Sequence, residues 1–310
     1  MFKILEKKEK KIVVKSLGGL GNQMFQYAYA RYIQELTGLP IYFDISVYNK
    51  YKIREFSLKS LNVKVTGYDN KNKLLPFTRV LTMRVYHVAQ KILKDFFNFD
   101  HFGKFPFFFF SKFGNLFNFD PYYYDISDIV NSNRTQVIYG YFQSEKYFIS
   151  IQNEIKKELK VTAKLSTSAT EFLKKIVNSD NSVAVSIRWG KDYQDHRYLN
   201  VTDKEYFYKS MKIIASKLKK VNFFIFSDEP DLVKEEFNFE YPVVFIKNTV
   251  DYESLKLMYT CDHFIISNSS FSWFGAYLSD NDSKIVLAPK CWTKRHLKMD
   301  DIYTDYMIKV

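Results

Sequence analysis

Five apolar runs, separated by stretches of helical period, fill the second half of the chain. The runs are SVAVSIR (182–188), VNFFIFSD (221–228), YPVVFIK (241–247), HFIISNSS (263–270) and KIVLAPK (284–290). Between them lie DKEYFYKSMKIIASKLKK (203–220), PDLVKEEF (230–237), DYESLKLMYT (251–260) and FSWFGAYLS (271–279). A strand that is apolar along its whole length must be covered on both faces, which a parallel sheet wrapped by its own crossover helices achieves. The expectation is a doubly wound α/β unit with KIVLAPK as its last strand. Ligands of such folds sit beyond the carboxyl ends of the strands. Here those ends read Ser186-Ile187-Arg188-Trp189-Gly190, Ser227-Asp228 and Ser267-Asn268-Ser269-Ser270.

The first half begins in the same way. KKIVVKSL (10–17) reads as a strand, followed by a glycine loop, a helix from Asn22 to Leu36 with Gly38 as its C-terminal cap, and a second strand in LPIYFDI (39–45). Residues 70–125 are aromatic, basic and loop-prone, with helix from Thr78 to Phe97. QVIYGYFQSEKYF (136–148) reads as a strand running into a helix. The architecture expected is two α/β domains facing a cleft, 1–155 and 156–310, with the boundary between Glu145 and Ser182.

A chain that is 46% hydrophobic can bury a core of that size, which excludes disorder. Two cysteines, Cys261 and Cys291, make no disulfide framework, suit a reducing compartment and are too few for a cysteine-based zinc site. The five histidines, His87, His101, His196, His263 and His296, lack metal-ligand spacing. The opening MFKILEKKEKK has no apolar core of a signal peptide, and no apolar stretch is long enough to span a bilayer. The net charge of +12 attracts nucleic acid, anionic lipid or an anionic substrate alike. No nucleic-acid module or basic stripe accompanies it.

Three stretches could carry chemistry. GGLGNQ (18–23) places three of the chain's ten glycines between a strand and a helix. It is either a tight turn in which Gly21 allows close packing, or a loop that a ligand approaches. Gly19, Gly21 and Gln23 are candidate contacts, and Asn22 and Gln23 could cap the helix or hydrogen-bond sugar hydroxyls. Arg188 ends a buried strand and needs an anion, which a phosphate or a carboxylate such as Asp228 could supply. SNSSFS (267–272) opens a helix with more hydroxyls than a cap requires, so Asn268, Ser269, Ser270, Phe271 and Ser272 form a candidate phosphate site. Trp273 reads as a core anchor.

In order, GGLGNQMFQYAYA (18–30), REFSLKSLNV (54–63), GYFQSEKYF (140–148), SIRWGKDY (186–193), FSDE (226–229) and SNSSFSWFGAYL (267–278) resemble the motifs of bacterial α-1,2-fucosyltransferases of glycosyltransferase family 11, from about Lys11 to Leu287. The resemblance implies the GT-B type, two Rossmann-like domains facing a cleft. It implies GDP-β-L-fucose as donor, with inverting, metal-independent transfer to the 2-hydroxyl of a galactoside and no cofactor. The alternatives are another GDP-sugar donor or a non-catalytic glycan-binding protein. The family's central motif, His-x-Arg-Arg-Gly-Asp-Tyr, is matched here with Ser186 for His, Arg188 for the first Arg, Trp189 for the second, Gly190, an inserted Lys191, then Asp192 and Tyr193.

By that resemblance Arg188 and the 268–272 segment hold the departing diphosphate. Ser227 and Asp228 lie near the nucleoside, and Asp192 is the candidate general base. The glycine loop also resembles that of protein O-fucosyltransferases, which makes Asn22 a candidate for positioning donor or acceptor. The acceptor expected is a galactose-containing oligosaccharide or lipid-linked glycan, as in O-antigen biosynthesis. The positive surface suits a cytoplasmic enzyme peripheral to the inner membrane face.

Overall fold

A computed structural model describes residues 9–50, 55–97, 104–119, 122–294 and 300–310. The first eight residues, Arg54, His101 and His296, all noted in the sequence, lie outside that range. Two parallel sheets carry the chain. In the first half the strands are β1 (Ile12–Lys15), β2 (Ile41–Asp44), β3 (Gly67–Asp69), β4 (Asn115–Asn118) and β5 (Gln136–Gly140), in the order β3-β2-β1-β5-β4. In the second half they are β6 (Ser182–Ile187), β7 (Asn222–Ser227), β8 (Val243–Phe245), β9 (His263–Ile265), β10 (Val286–Ala288) and β11 (Met307–Lys309), in the order β11-β10-β9-β6-β7-β8. Every adjacent pair is parallel.

The helices of the first half are α1 (Leu20–Thr37), α2 (Phe77–Phe97) and α3 (Lys104–Ser111), and α4 (Gln152–Glu158) leads across to the second sheet. Then come α5 (Thr167–Val177), α6 (Lys191–Gln194), α7 (Lys204–Lys217), α8 (Pro230–Glu236), α9 (Asp251–Thr260) and α10 (Ser270–Tyr277). The β1-α1-β2 start and the alternation in the second half follow the sequence reading. Gly38 ends α1 as expected, at φ +69° with its N–H on Gln34 O at 2.7 Å.

Other elements differ from the expectation. KIVLAPK is not the last strand, because β11 adds a further edge beside β10. The segment after β5 is not one helix but two 3-10 turns, Glu145–Tyr147 and Ile149–Ile151, before α4. The cut at residue 155 falls inside α4. Its Glu158, almost fully buried, takes a bidentate contact from Arg31 of α1 (Nε to Oε2 2.8 Å, a second guanidinium nitrogen to Oε1 3.2 Å), with Tyr27 hydroxyl at 2.7 Å and Lys64 Nζ at 3.0 Å.

The two halves share one hydrophobic cluster. Phe25 of α1 lies 4.7 Å from the Trp273 ring and 4.6 Å from the Phe274 ring of α10, centroid to centroid. Trp273 is wholly buried, stacked on Tyr277, with its indole N–H on Ile302 O at 2.7 Å, so it is the core anchor expected. On the far face of the first sheet, Met83 and Tyr86 of α2 pack with Val13, Leu75, Phe117 and Val137.

Candidate functional site

In each sheet the chain order reverses once. In the first it runs outward from β1 to β3, crosses to the opposite edge at β4 and returns inward to β5 beside β1; in the second it runs from β6 to β8 and resumes beside β6 at β9. The carboxyl-end crevices beside β1/β5 and β6/β9 are therefore the topological switch points, where open α/β sheets bind ligands. The residues leaving those four strands are Gly18–Asn22 and Tyr141–Gln143 in one half, and Arg188 and Ser267–Ser272 in the other.

One hydrogen-bonded group joins the two crevices. Asn22 Oδ1 accepts from Gln143 Nε2 at 2.8 Å and from Ser270 Oγ at 2.8 Å. Two glycines make this possible. Gly18 has φ +76°, and a Cβ there would lie 2.5 Å from Asn22 Nδ2, so only glycine lets the turn close beneath the amide. Gly21 lies against α10, where a Cβ would be 2.4 Å from Phe271 N and 2.5 Å from the Ser270 carbonyl carbon. Of the two readings of the glycine loop, Gly21 takes the packing one. Gly19 is the N-cap, its carbonyl accepting from Asn22 N and Gln23 N.

Gln143 was not singled out from the sequence. The backbone before it is unusual: buried Phe142 has φ +52°, a strained conformation for a bulky residue, held by stacking on Tyr29 at 4.0 Å. Such outliers cost of order 1–3 kcal/mol and cluster at functional sites. No local sequence signal announces positive φ in a phenylalanine.

Arg188 stands at the mouth of β6, its side chain 24% exposed. Its guanidinium pairs with Asp228 at 2.9 Å and with Asp192 at 2.5 Å. The carboxylate alternative is thus realised, with the predicted partner Asp228 and a second in Asp192. Asp228 is also spent on backbone, accepting from Trp189 N (2.8 Å) and Gly190 N (3.1 Å), so it organises the turn after β6 rather than standing free for a nucleoside. Ser227 Oγ accepts from Glu229 N in the same turn. Asp192 is 63% exposed and held by Arg188, so it can act as a base only if that pair opens. Two of Arg188's five N–H groups serve these carboxylates. Trp189 turns into the core, its indole N–H on Glu236 and its ring 4.7 Å from Phe237.

The serine segment separates into spent and available groups. Ser269 caps α10, its Oγ accepting from Phe271 N at 3.3 Å. Ser272 is fully buried and donates back to Ser267 O and Ser269 O. Asn268 has both ends occupied: Tyr193 hydroxyl donates to Oδ1 at 2.8 Å, and Nδ2 donates to Leu199 O and Trp292 O. Gln23 is likewise buried, its Nε2 on Gly18 O, Tyr48 hydroxyl and Glu55 O, its Oε1 on Ser57 N and Leu58 N. The side chains of Gln23, Asn268 and Ser272 thus make their described hydrogen bonds inside the protein, bracing the loop and the start of α10. Ser269, Ser270, Phe271 and Asn22 stay half-exposed at the junction. Beside them Ser267 Oγ, wholly buried, has no partner among the described residues.

What gathers here is a cation, the N-terminus of a helix and a ring of amides and hydroxyls, at two facing switch points. That arrangement suits a polar ligand with an anionic part. The chain is similar to an α-1,2-colitosyltransferase of Escherichia coli, 28% identical over 92% of this chain and 93% of that protein. It is also similar to the O-antigen biosynthesis glycosyltransferase WbnK of Escherichia coli, 25% identical over 91% and 96% respectively. In fold it resembles the fucosyltransferase NodZ from Bradyrhizobium, with a TM-score of 0.50, 13% identity and coverage of 86% of this chain and 93% of that one. The two parallel α/β units are thus those of the GT-B type. The model of glycosyl transferase family 11 matches residues 11–308, nearly the whole chain, and the chain belongs to that family.

Proposed function

We propose that this glycosyltransferase moves a 6-deoxy-L-hexose, L-fucose or its 3-deoxy analogue colitose, from a GDP-activated donor to the 2-hydroxyl of a galactoside. The observation that carries the reading is the Gln143–Asn22–Ser270 bridge between the two switch points. A reaction between two sugars needs both held at one point, and this is where the two crevices meet.

In the reaction the bond from the donor's anomeric carbon to the diphosphate oxygen breaks, and its electron pair leaves with the diphosphate. The acceptor hydroxyl forms the new bond from the opposite face and gives up its proton to a base, for which Asp192 is the proposed group. The departing charge meets Arg188 and the amides of Ser270 and Ser272, with no metal required of the protein. Fixed donors of this kind are worth about 10²–10³ in rate. Asn22 positions a sugar hydroxyl through its amide nitrogen, since its oxygen is already held. The Arg188–Asp192 pair opens when the diphosphate arrives, which frees the Asp192 carboxylate to take a proton.

The fucose and colitose readings share a mechanism and differ by one hydroxyl on the donor. The first follows the sequence resemblance; the second is favoured by the colitosyltransferase relative, whose name assigns that sugar to it. Similarity to an O-antigen biosynthesis glycosyltransferase supports a surface-glycan acceptor; galactose as its accepting sugar rests on the sequence resemblance. The test is a two-way panel: both GDP-sugars against free and lipid-linked galactosides, with product linkage assigned by NMR. Transfer from neither donor to any galactoside would refute the proposal. A preference for GDP-fucose of about 10⁴ or more would indicate a site that hydrogen-bonds the 3-hydroxyl, whereas a pocket without a partner for it would prefer GDP-colitose by only about 10².

A further inference from the structure

Among the described residues, nothing covers the apolar outer face of α2. Phe77 is 72% exposed, Leu81 47%, Val85 and Val88 56% each, and Ile92 47%. At 100° per residue these five positions fall within an arc of about 80°, one stripe along a helix roughly 30 Å long. The inward face of the same helix carries buried Met83 and Tyr86. The stripe is therefore a second apolar face, not the edge of the core. Phe109 of α3 and Phe113 in the turn after it, 49% and 53% exposed and 5.5 Å apart, add exposed apolar rings.

Between α2 and α3 opens a cavity of about 650 Å³, with Arg79, Arg134, Phe109 and Phe113 in its wall. Both guanidiniums bond only neutral oxygens there: Arg79 to Phe113 O (2.7 Å) and Asn115 Oδ1, Arg134 to Lys112 O. Neither has a carboxylate partner among the described residues. Burial and then the nearby Arg134 push the Arg79 pKa down, as expected of cations held together without a counter-ion. The surroundings are of the same sign: from Lys71 to Phe119 the sequence has eight lysines and arginines against two aspartates.

We propose that the outer face of α2, together with the Arg79–Arg134 cavity, docks on an anionic lipid bilayer, with an acidic phospholipid headgroup received between the two guanidiniums. Charge decides the occupant. A symmetric contact with a second copy would bring Arg84 and the two cavity arginines against their own kind, whereas an anionic surface complements them. An apolar stripe bordered by cations is also how a helix lies in the interface plane without crossing it. No helix of the described residues is long and apolar enough to span a membrane. The proposal goes beyond the transfer reaction and does not depend on which donor is used.

The test is vesicle flotation without donor or acceptor. Wild type should float with vesicles of phosphatidylcholine containing about one third phosphatidylglycerol at low salt, should bind less at about 0.15 M salt, and should not float with phosphatidylcholine alone. The Val85→Asn/Val88→Asn variant, changed only at exposed positions, should bind at least about tenfold less, with unaltered melting and turnover on a soluble acceptor. Arg79→Gln/Arg134→Gln should weaken binding about fivefold per residue. Failure of wild type to float, equal flotation on both lipids, or undiminished binding by the valine variant would overturn the proposal. So would a dimer in sedimentation velocity that the valine variant dissolves, since the face would then belong to a second copy.

Discussion

Gly21→Ala opposes two physical effects, and the structure fixes which wins. By helix propensity alone alanine should stabilise α1, by up to about 1 kcal/mol in a helix interior and by less in the first turn. Packing argues the other way. The new Cβ would lie 2.4 Å from Phe271 N and 2.5 Å from the Ser270 carbonyl carbon, both main-chain atoms that cannot rotate aside. Carbon contacts are most favourable at roughly 3.5–4.0 Å, so α1 and α10 must part by about 1 Å. Overpacking of this kind costs about 1–3 kcal/mol, giving a net loss of roughly 1–2 kcal/mol and, for 310 residues, a fall in Tm of about 1.5–3 °C. The separation is centred on Asn22 and Ser270, and a 1 Å misplacement can cost about 10² in rate. Thermal melting and steady-state transfer, measured on the same preparation, test both parts. A variant that melts at or above wild type with full turnover would refute the helix–helix argument.

Arg188→Ala should lower transfer by about 10²–10³ without loss of fold, whereas Asp192→Asn separates two roles through kinetics: a lower KM with kcat kept means Asp192 only occupies Arg188, and a collapsed kcat with donor binding kept means it is the base. Glu158→Gln should destabilise by about 3–5 kcal/mol at pH 7, the usual cost of breaking a buried ion pair. Burial alone would raise the Glu158 pKa, but hydrogen bonds from Arg31, Tyr27 and Lys64 overcome it and hold the pKa below 4.5. Its stabilisation is therefore full above about pH 4.5 and is lost as pH falls through the depressed value. Denaturant titrations should accordingly show wild type and variant converging in acid, and a gap constant from pH 7 to 3 would contradict this.

The second sheet was legible because central parallel strands are apolar on both faces, as in SVAVSI and NFFIFS. The edges were not. GYD of β3 and MIK of β11 are three-residue strands, too short and too exposed for periodicity to reveal. At the site, Arg188 and the serines could be located from their places at strand ends. Which of their atoms are free could not, because that depends on partners distant in sequence. Asn22 and Gln23 make the point: they are neighbours of similar chemistry, yet one faces Ser270 across the junction and the other is consumed by the backbone of 55–58.

Phe25, set between Trp273 and Phe274, has a mechanical consequence. Two sheets joined only by linkers could slide and twist freely while substrates exchange. These two are pinned through a close-packed aromatic contact, next to helix ends that touch backbone to backbone at Gly21. The Ser57–Asp251 hydrogen bond and the Lys146–Asp301 pair tie the halves at further points. Asn22 and Ser270 lie beside the aromatic tie, so the hydrogen bond between them is braced by close packing rather than left to hold the halves on its own.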